Sequence, residues 1–182
     1  MSTSAGTDEG TPGTAEGADD PVEPVDPVTP TVVACASLGS RIEWIDTDAA
    51  GIYHNSTVIR LVEAAEAALT RQLGLDGYFP VAPRVRYESD FEAPLFFGQE
   101  VTTTVSVTEL GRSSMTFSFE VWGEELDGAP RVLAARGRYV TVHLDRSGPG
   151  RPKSAPWPAD WVERLTRGAG TDSALGGRDL RA

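Results

Sequence analysis

The alternation of apolar and polar positions divides this chain into a few clear elements. From Asn55 to Leu73, apolar residues fall at Val58, Leu61, Val62, Ala65, Leu69 and Leu73. That i, i+3, i+4 spacing predicts one long helix with a single buried stripe. Asn55 or Ser56 is placed to cap its start, and Gly74 to end it. On either side the period changes to two. Ser37 to Trp44 reads as a first strand, ending at Ile45-Asp46-Thr47-Asp48. Arg84 to Phe91 reads as a second. Val101, Thr103, Val105 and Val107 alternate with polar neighbours, as do Met115, Phe117, Phe119 and Val121. Gly111 lies in the turn between those two runs. Leu133 to Leu144 forms the last long strand, after the turn Leu126-Asp127-Gly128-Ala129-Pro130. Trp157 to Leu165 suits a short closing helix. The predicted order is strand, long helix, then four strands in meander. Short hairpin links imply antiparallel pairing. The fold class is therefore α+β, one helix against one curved antiparallel sheet.

The ends of the chain do not share this patterning. Residues 1–33 are rich in Gly, Pro, Thr and acids, and poor in large apolar groups. Such a segment buries too little surface to offset its ordering entropy, so a disordered acidic arm is expected there. Residues 34–166 are expected to form one domain, and 167–182 a loose tail. The arm carries seven acids and no Lys or Arg. Taking those seven from the net charge of −11 leaves −4 for the rest of the chain. That balance disfavours binding to nucleic acid or to an anionic membrane surface, but still allows a local basic patch. No apolar run approaches a membrane span. Nothing resembles a signal peptide, and Cys35 is the one cysteine, so a reducing, cytoplasmic setting is expected. Lys153 is the only lysine beside fifteen arginines. We read this as compositional bias without functional meaning.

Candidate chemistry is concentrated in Arg41-Ile-Glu-Trp-Ile-Asp-Thr-Asp-Ala-Ala-Gly-Ile-Tyr-His-Asn and the helix that follows, through Glu63 and Glu66. Asp48 would lie at a strand end, just before the turn that opens the helix. Unpaired amides at a helix start carry partial positive charge and can hold a developing oxyanion. A carboxylate beside them could attack an acyl carbon or activate a water. Asp suits a turn or cap equally well. Asp46 is the better candidate for a structural role, and Gly51 for a backbone shape that a side chain would block. Glu66 is expected to be solvated.

This segment resembles the signature of the 4-hydroxybenzoyl-CoA thioesterase branch of the hotdog superfamily. It shares an apolar strand, an Asp-x-Asp pair, a small-residue turn with Gly, an aromatic or His, and a helix with an acid near its middle. A weaker likeness continues from Glu88 to Val142, through the bend Asp90-Phe91-Glu92-Ala93-Pro94-Leu95. The resemblance implies a hotdog fold, with a long central helix wrapped by a five-stranded antiparallel sheet. It implies hydrolysis of an acyl- or aroyl-CoA, or of an acyl-carrier thioester, by a homodimer or homotetramer that needs no cofactor or metal. It maps the family's catalytic carboxylate onto Asp48. His54 or Asn55 would supply the amide facing the carbonyl, and Glu63 is a secondary catalytic candidate. Arg112 and Ser113, at a hairpin turn, and Arg151 and Lys153, after the last strand, are candidates for the CoA phosphates. Two other readings stand beside this one. A hotdog enoyl-CoA hydratase would pair an Asp with a His a few residues on, usually across Asn-Pro. Here the intervening residues are Ala49-Ala50-Gly51-Ile52-Tyr53. A non-catalytic acyl-thioester-binding hotdog is the third. The arm has no spacing suited to catalysis. Its deletion is expected to leave kcat unchanged, which steady-state kinetics on full-length and truncated protein would check.

Overall fold

A computed structural model describes residues 32–168. The expected arm and tail fall almost wholly outside the described residues. Strand β1 (Ala34–Arg41) leads through a 3-10 turn (Trp44–Asp46) and a tight loop into helix α1 (Asn55–Gln72). A short helix α2 (Tyr78–Val81) then precedes strands β2 (Arg84–Phe91), β3 (Glu100–Leu110), β4 (Ser114–Gly123) and β5 (Val132–Val142). A small hairpin, β6 (Leu144–Asp145) with β7 (Lys153–Ser154), and helix α3 (Ala159–Gly168) close the domain.

The apolar stripe of α1 does what its spacing predicts. Val58, Leu61, Val62, Ala65 and Leu69 are buried against β1, β3 and β4. Each large side chain of such a stripe is worth about 1.5–3 kcal/mol when fully buried. The inner face of the sheet meets them with Val101, Val105 and Val107 from β3, Met115, Phe117, Phe119 and Val121 from β4, and Tyr139 from β5. Phe117 and Tyr139 sit opposite each other in the β4–β5 register and stack at 4.6 Å. Gly137 faces Phe119 across the same ladder. A Cβ there would lie 2.0 Å from the Glu88 carbonyl and 2.7 Å from the Phe119 ring, so only glycine lets β5 lie so close to the β2 backbone and to the Phe119 ring.

The sheet order is β1-β3-β4-β5-β2, all antiparallel. The expected four-strand meander is therefore corrected. Only β3, β4 and β5 form one. β2 lies at the far edge beside β5, and the link 92–99 returns the chain past β5 and β4 to start β3. The α1–α2 segment carries the chain to that edge, a displacement that strand periodicity cannot reveal.

Four local expectations are also corrected. β1 begins and ends earlier than Ser37–Trp44. Beyond Arg41, Ile42 still pairs with the Gln99 backbone, but the Asp46 carboxylate accepts the Glu43 N–H at 2.9 Å and curls the chain. Trp44 and Ile45, read as strand positions, point into solvent at 78% and 89% exposure. The N-cap of α1 is His54, in extended conformation and without a side-chain cap, rather than Asn55 or Ser56. The closing helix starts at Ala159, where the Pro158 carbonyl accepts the Trp161 and Val162 N–H groups at 3.1 Å. Finally, Glu66 is not solvated. It is 1% exposed, on the buried side of α1, with the Tyr78 hydroxyl donating to it at 2.9 Å and Arg84 paired to it. At the other end of α1, Gly74 adopts φ +63°, which suits a glycine stop.

Candidate active site

Asp46 organises the segment that carries the candidate residues. It is 3% exposed although charged. Its side chain caps Glu43 N–H and pairs with Arg60 one turn into α1. Its carbonyl accepts the His54 N–H at 2.7 Å and the Thr57 hydroxyl at 3.1 Å. The strand end and the helix start are thereby tied together through one residue, as the structural reading of Asp46 anticipates.

Between these ties, residues 48–52 form a tight loop. Asp48 N–H donates to the Ile52 carbonyl at 2.9 Å, and Gly51 N–H to the Asp48 carbonyl at 3.0 Å. Thr47 and Tyr53 bridge below it, and Gly51 takes φ +77°, a left-handed value that favours glycine. The Asp48 carboxylate is exposed at this tip. Its Oδ1 accepts the Ala50 N–H at 2.8 Å, while no protein donor reaches Oδ2 among the described residues. Asp48 thus has the turn-forming bond of a structural Asp and a second oxygen available for chemistry.

The helix start is adjacent through the Thr47–Tyr53 bridge. The His54 amide is engaged by Asp46, and the Thr57 amide donates to the His54 carbonyl at 2.8 Å. The amides of Asn55 and Ser56 have no acceptor among the described residues, as the first positions of a helix require. The His54 side chain is exposed and lines a cleft of about 420 Å³ with Ile45, Asp46, Ser56, Thr57 and Arg60. Asp48, His54 and Asn55 therefore share one locality.

The other candidates do not join them within one chain. Glu63 is exposed near the middle of α1 and accepts a hydrogen bond from Arg84 at 2.8 Å. It lies eight residues beyond Asn55, roughly 12 Å along the helix. Arg112 and Ser113 occupy the β3–β4 turn. The Asp48 loop is linked to the opposite end of β3, through Ile42 and Gln99. The eleven residues of β3 between those ends span roughly 35 Å. Lys153, in β7, lies at the same far end as Arg112, because His143 N–H donates to Ser113 and Ala155 N–H to His143. Arg151 lies two residues before Lys153 and is exposed. Among the described residues, no group of three or more His, Cys, Asp or Glu side chains is placed to hold a metal ion. No helix there is long and apolar enough to cross a membrane.

Sequence reasoning missed two features. Arg60, on the first turns of α1, reads as an ordinary surface charge, and only the buried Asp46 gives it a partner. Glu66 carried a usable signal, its place four residues after Val62 in the apolar stripe.

Comparison with known proteins bears on the fold and the family resemblance. Residues 50–129 match the family model described as Thioesterase superfamily. That match begins two residues after Asp48 and so covers His54, Asn55, Glu63, Arg112 and Ser113, but not the carboxylate itself. A curated protein of Aquifex aeolicus (strain VF5), named "Putative esterase", is 27% identical over 115 residues, 56% of this chain and 87% of that protein. The 4-hydroxybenzoyl-CoA thioesterase from Pseudomonas sp. strain CBS-3 is 22% identical, over 72% of this chain and 99% of its own, with a TM-score of 0.65. A thioesterase from Thermus thermophilus, complexed with coenzyme A and Zn, is 26% identical, over 77% and 96%, with a TM-score of 0.63. The fold is thus the hotdog fold that the resemblance implied, and the family resemblance holds.

Proposed function

We propose, from the match of residues 50–129 to the thioesterase-superfamily model, that this chain hydrolyses acyl-CoA thioesters to a free acid and CoA thiol. The observation that carries the reading is the Asp48 carboxylate, exposed at a braced loop tip beside a helix start with two amides to spare. The thioester carbonyl would rest against the Asn55 and Ser56 amides, which strengthen their hold as negative charge develops on its oxygen. The free oxygen of Asp48 would attack the acyl carbon, or take a proton from the water that does. Collapse expels the thiolate, whose conjugate acid resembles cysteine at pKa about 8.5, so little acid assistance is needed; where Asp48 itself attacked, water then hydrolyses the acyl-Asp48 anhydride to the free acid and regenerates the carboxylate. His54, exposed at the lip, is a candidate for orienting water or substrate. A cytoplasmic location remains part of this proposal, on the strength of the single Cys35.

The CoA phosphates fit the same reading only with a second copy. Arg112, Ser113, Arg151 and Lys153 lie at the far end of the sheet from Asp48. An antiparallel partner would bring its own far end towards this loop. The free edge of β2 supports such a partner. Among the described strands it pairs with β5 alone, and it presents Val85 at 61% and Phe91 at 46% exposure. An open edge with exposed apolar side chains offers a surface for pairing with another strand. Light scattering at micromolar concentration is expected to report at least twice the chain mass. An active monomer would contradict it.

The deciding experiment is thiol release across a panel of acyl-CoA and acyl-carrier thioesters, run beside enoyl-CoA hydration. Release from at least one thioester supports the proposal. Hydration without release would transfer the site to the hydratase reading.

A further inference from the structure

The inner face of β2 departs from the apolar pattern of its neighbours. Tyr87, Ser89 and Phe91 share that face, while Glu88 and Asp90 line the opposite one with Thr104 and Ser118. Tyr87 stacks on Phe119 at 5.4 Å and on Tyr139 at 6.2 Å. Its hydroxyl and that of Ser89 are enclosed, and neither makes a hydrogen bond of standard geometry among the described residues. Burial pushes the Tyr87 phenol up to about 12, with the Arg84 charge and the neighbouring Ser89 hydroxyl acting to lower it. It is therefore a protonated donor at any working pH. Enclosed hydroxyls without partners are unfavourable, and a site that keeps two of them side by side is suited to a ligand oxygen.

This pair is connected to the candidate active site. Tyr53, which follows the Asp48 loop directly, has its ring 6.5 Å from that of Phe91, and its hydroxyl donates to the Ala134 carbonyl at 3.2 Å. From Phe91 the strand carries Ser89 and Tyr87 away from the loop at about 3.3 Å per residue, so their backbone positions lie roughly 7 and 13 Å further on. Helix α1 packs chiefly on β1 and β3, at the other side of the sheet, and leaves this end of β2 half-open. An acyl group whose carbonyl sits at Asp48 could extend along Phe91 and reach the pair with its remote end.

We propose that Tyr87 and Ser89 are specificity-determining residues, and that they select acyl groups bearing a hydrogen-bonding oxygen remote from the thioester over the matching deoxygenated acyl groups. Tyr87 donates to that oxygen, and Ser89 donates or accepts according to whether it is a carbonyl or a hydroxyl. Phe91 and Tyr53 supply the apolar wall between. The inference rests on the thioesterase reading of the same site.

The test uses matched pairs of CoA thioesters, such as octanoyl against 8-hydroxyoctanoyl and 7-oxooctanoyl, with the full-length protein. Wild type is expected to favour an oxygenated member by about tenfold or more in kcat/KM. In Tyr87→Phe/Ser89→Ala that ratio is expected to fall towards one, and Ser89→Val should move it further towards the deoxygenated member. Because each ratio is taken within one protein sample, partial loss of folding cancels. A wild-type ratio near one, or a ratio unaltered in the double variant, would overturn the proposal. If no member releases thiol, the thioesterase reading fails. Dissociation constants of the same pairs as non-hydrolysable thioethers then decide this inference alone, by the same ratios.

Discussion

Asp48→Asn is expected to lower kcat for thioester hydrolysis by at least about 10²-fold while leaving thermal stability near that of the wild type. The geometry makes Asn the informative replacement. Asp48 does two things, accepting the Ala50 N–H through Oδ1 and presenting a second oxygen. An amide keeps the acceptor, so the 48–52 loop and its backbone bonds survive. It loses the charge and basicity on which either nucleophilic attack or water activation depends. Asp48→Ala removes both functions. If the residue were only a turn former, Asn would behave as wild type and Ala would lose modest stability, with activity following stability. If it is the catalytic carboxylate, both variants lose turnover alike whatever their melting temperatures. Steady-state thiol release and thermal melts on the two variants separate these outcomes, and near-wild-type turnover in folded Asp48→Asn would defeat the assignment.

Where period dictated structure, the sequence was a good guide. The stripe of α1 placed the helix at Asn55 and ended it within one residue of Leu73, because one face had to be buried and Gly74 could stop it. β2 was legible at Arg84–Phe91 for a similar reason, and the alternating residues of β3 and β4 face inward as read. The misreadings came from residues whose surroundings are set by distant parts of the chain. Trp44 and Ile45 look like strand positions, but a buried Asp46 curls the chain and turns them outward. Glu66 looks like a surface acid until β2 brings Arg84 against it. The β2 edge position depends on where two helices deliver the chain, and nothing in local pattern encodes that. Of the candidate site, Asp48, His54 and Asn55 were legible because they are close in sequence and bridged locally. The distance of Arg112 and Lys153 from them was not, because it depends on which end of the sheet each turn occupies. The enclosed hydroxyls of Tyr87 and Ser89 were equally hidden. Within a strand they read as ordinary alternation, and only the packing of Tyr87 on Phe119 and Tyr139 shows that they are enclosed without a partner among the described residues.

The second large effect is expected at the buried ion pair. Arg84→Met should destabilise the domain by about 3–5 kcal/mol near neutral pH. Arg84 spans the gap between β2 and α1, pairing with exposed Glu63 and with Glu66, whose side chain is 2% exposed. The Glu63 contact is a surface pair and contributes little. The Glu66 contact matters because, without Arg84, an ionised carboxylate remains in the core with only the Tyr78 hydroxyl to solvate it. Against a typical total stability of about 5–15 kcal/mol, this is a large fraction. The effect should depend on pH in a defined direction. Burial raises the pKa of Glu66, while Arg84 and Tyr78 act to lower it. A folded-state pKa above the unfolded one means that the fold favours the protonated acid. That contribution is fully present below the unfolded pKa and is lost as pH rises through the folded pKa. Removing Arg84 raises the folded pKa further, so the penalty should be small where Glu66 is protonated in both states and grow as pH rises. Denaturant midpoints at about pH 5 and about pH 8 are expected to differ far more between variant and wild type at the higher value. Arg84→Met/Glu66→Gln, which removes both charges and keeps the Tyr78 partner, should recover most of the loss. Equal midpoints for Arg84→Met and wild type at about pH 8 would mean that water reaches Glu66, and that its enclosure between α1 and β2 is not what holds these elements together.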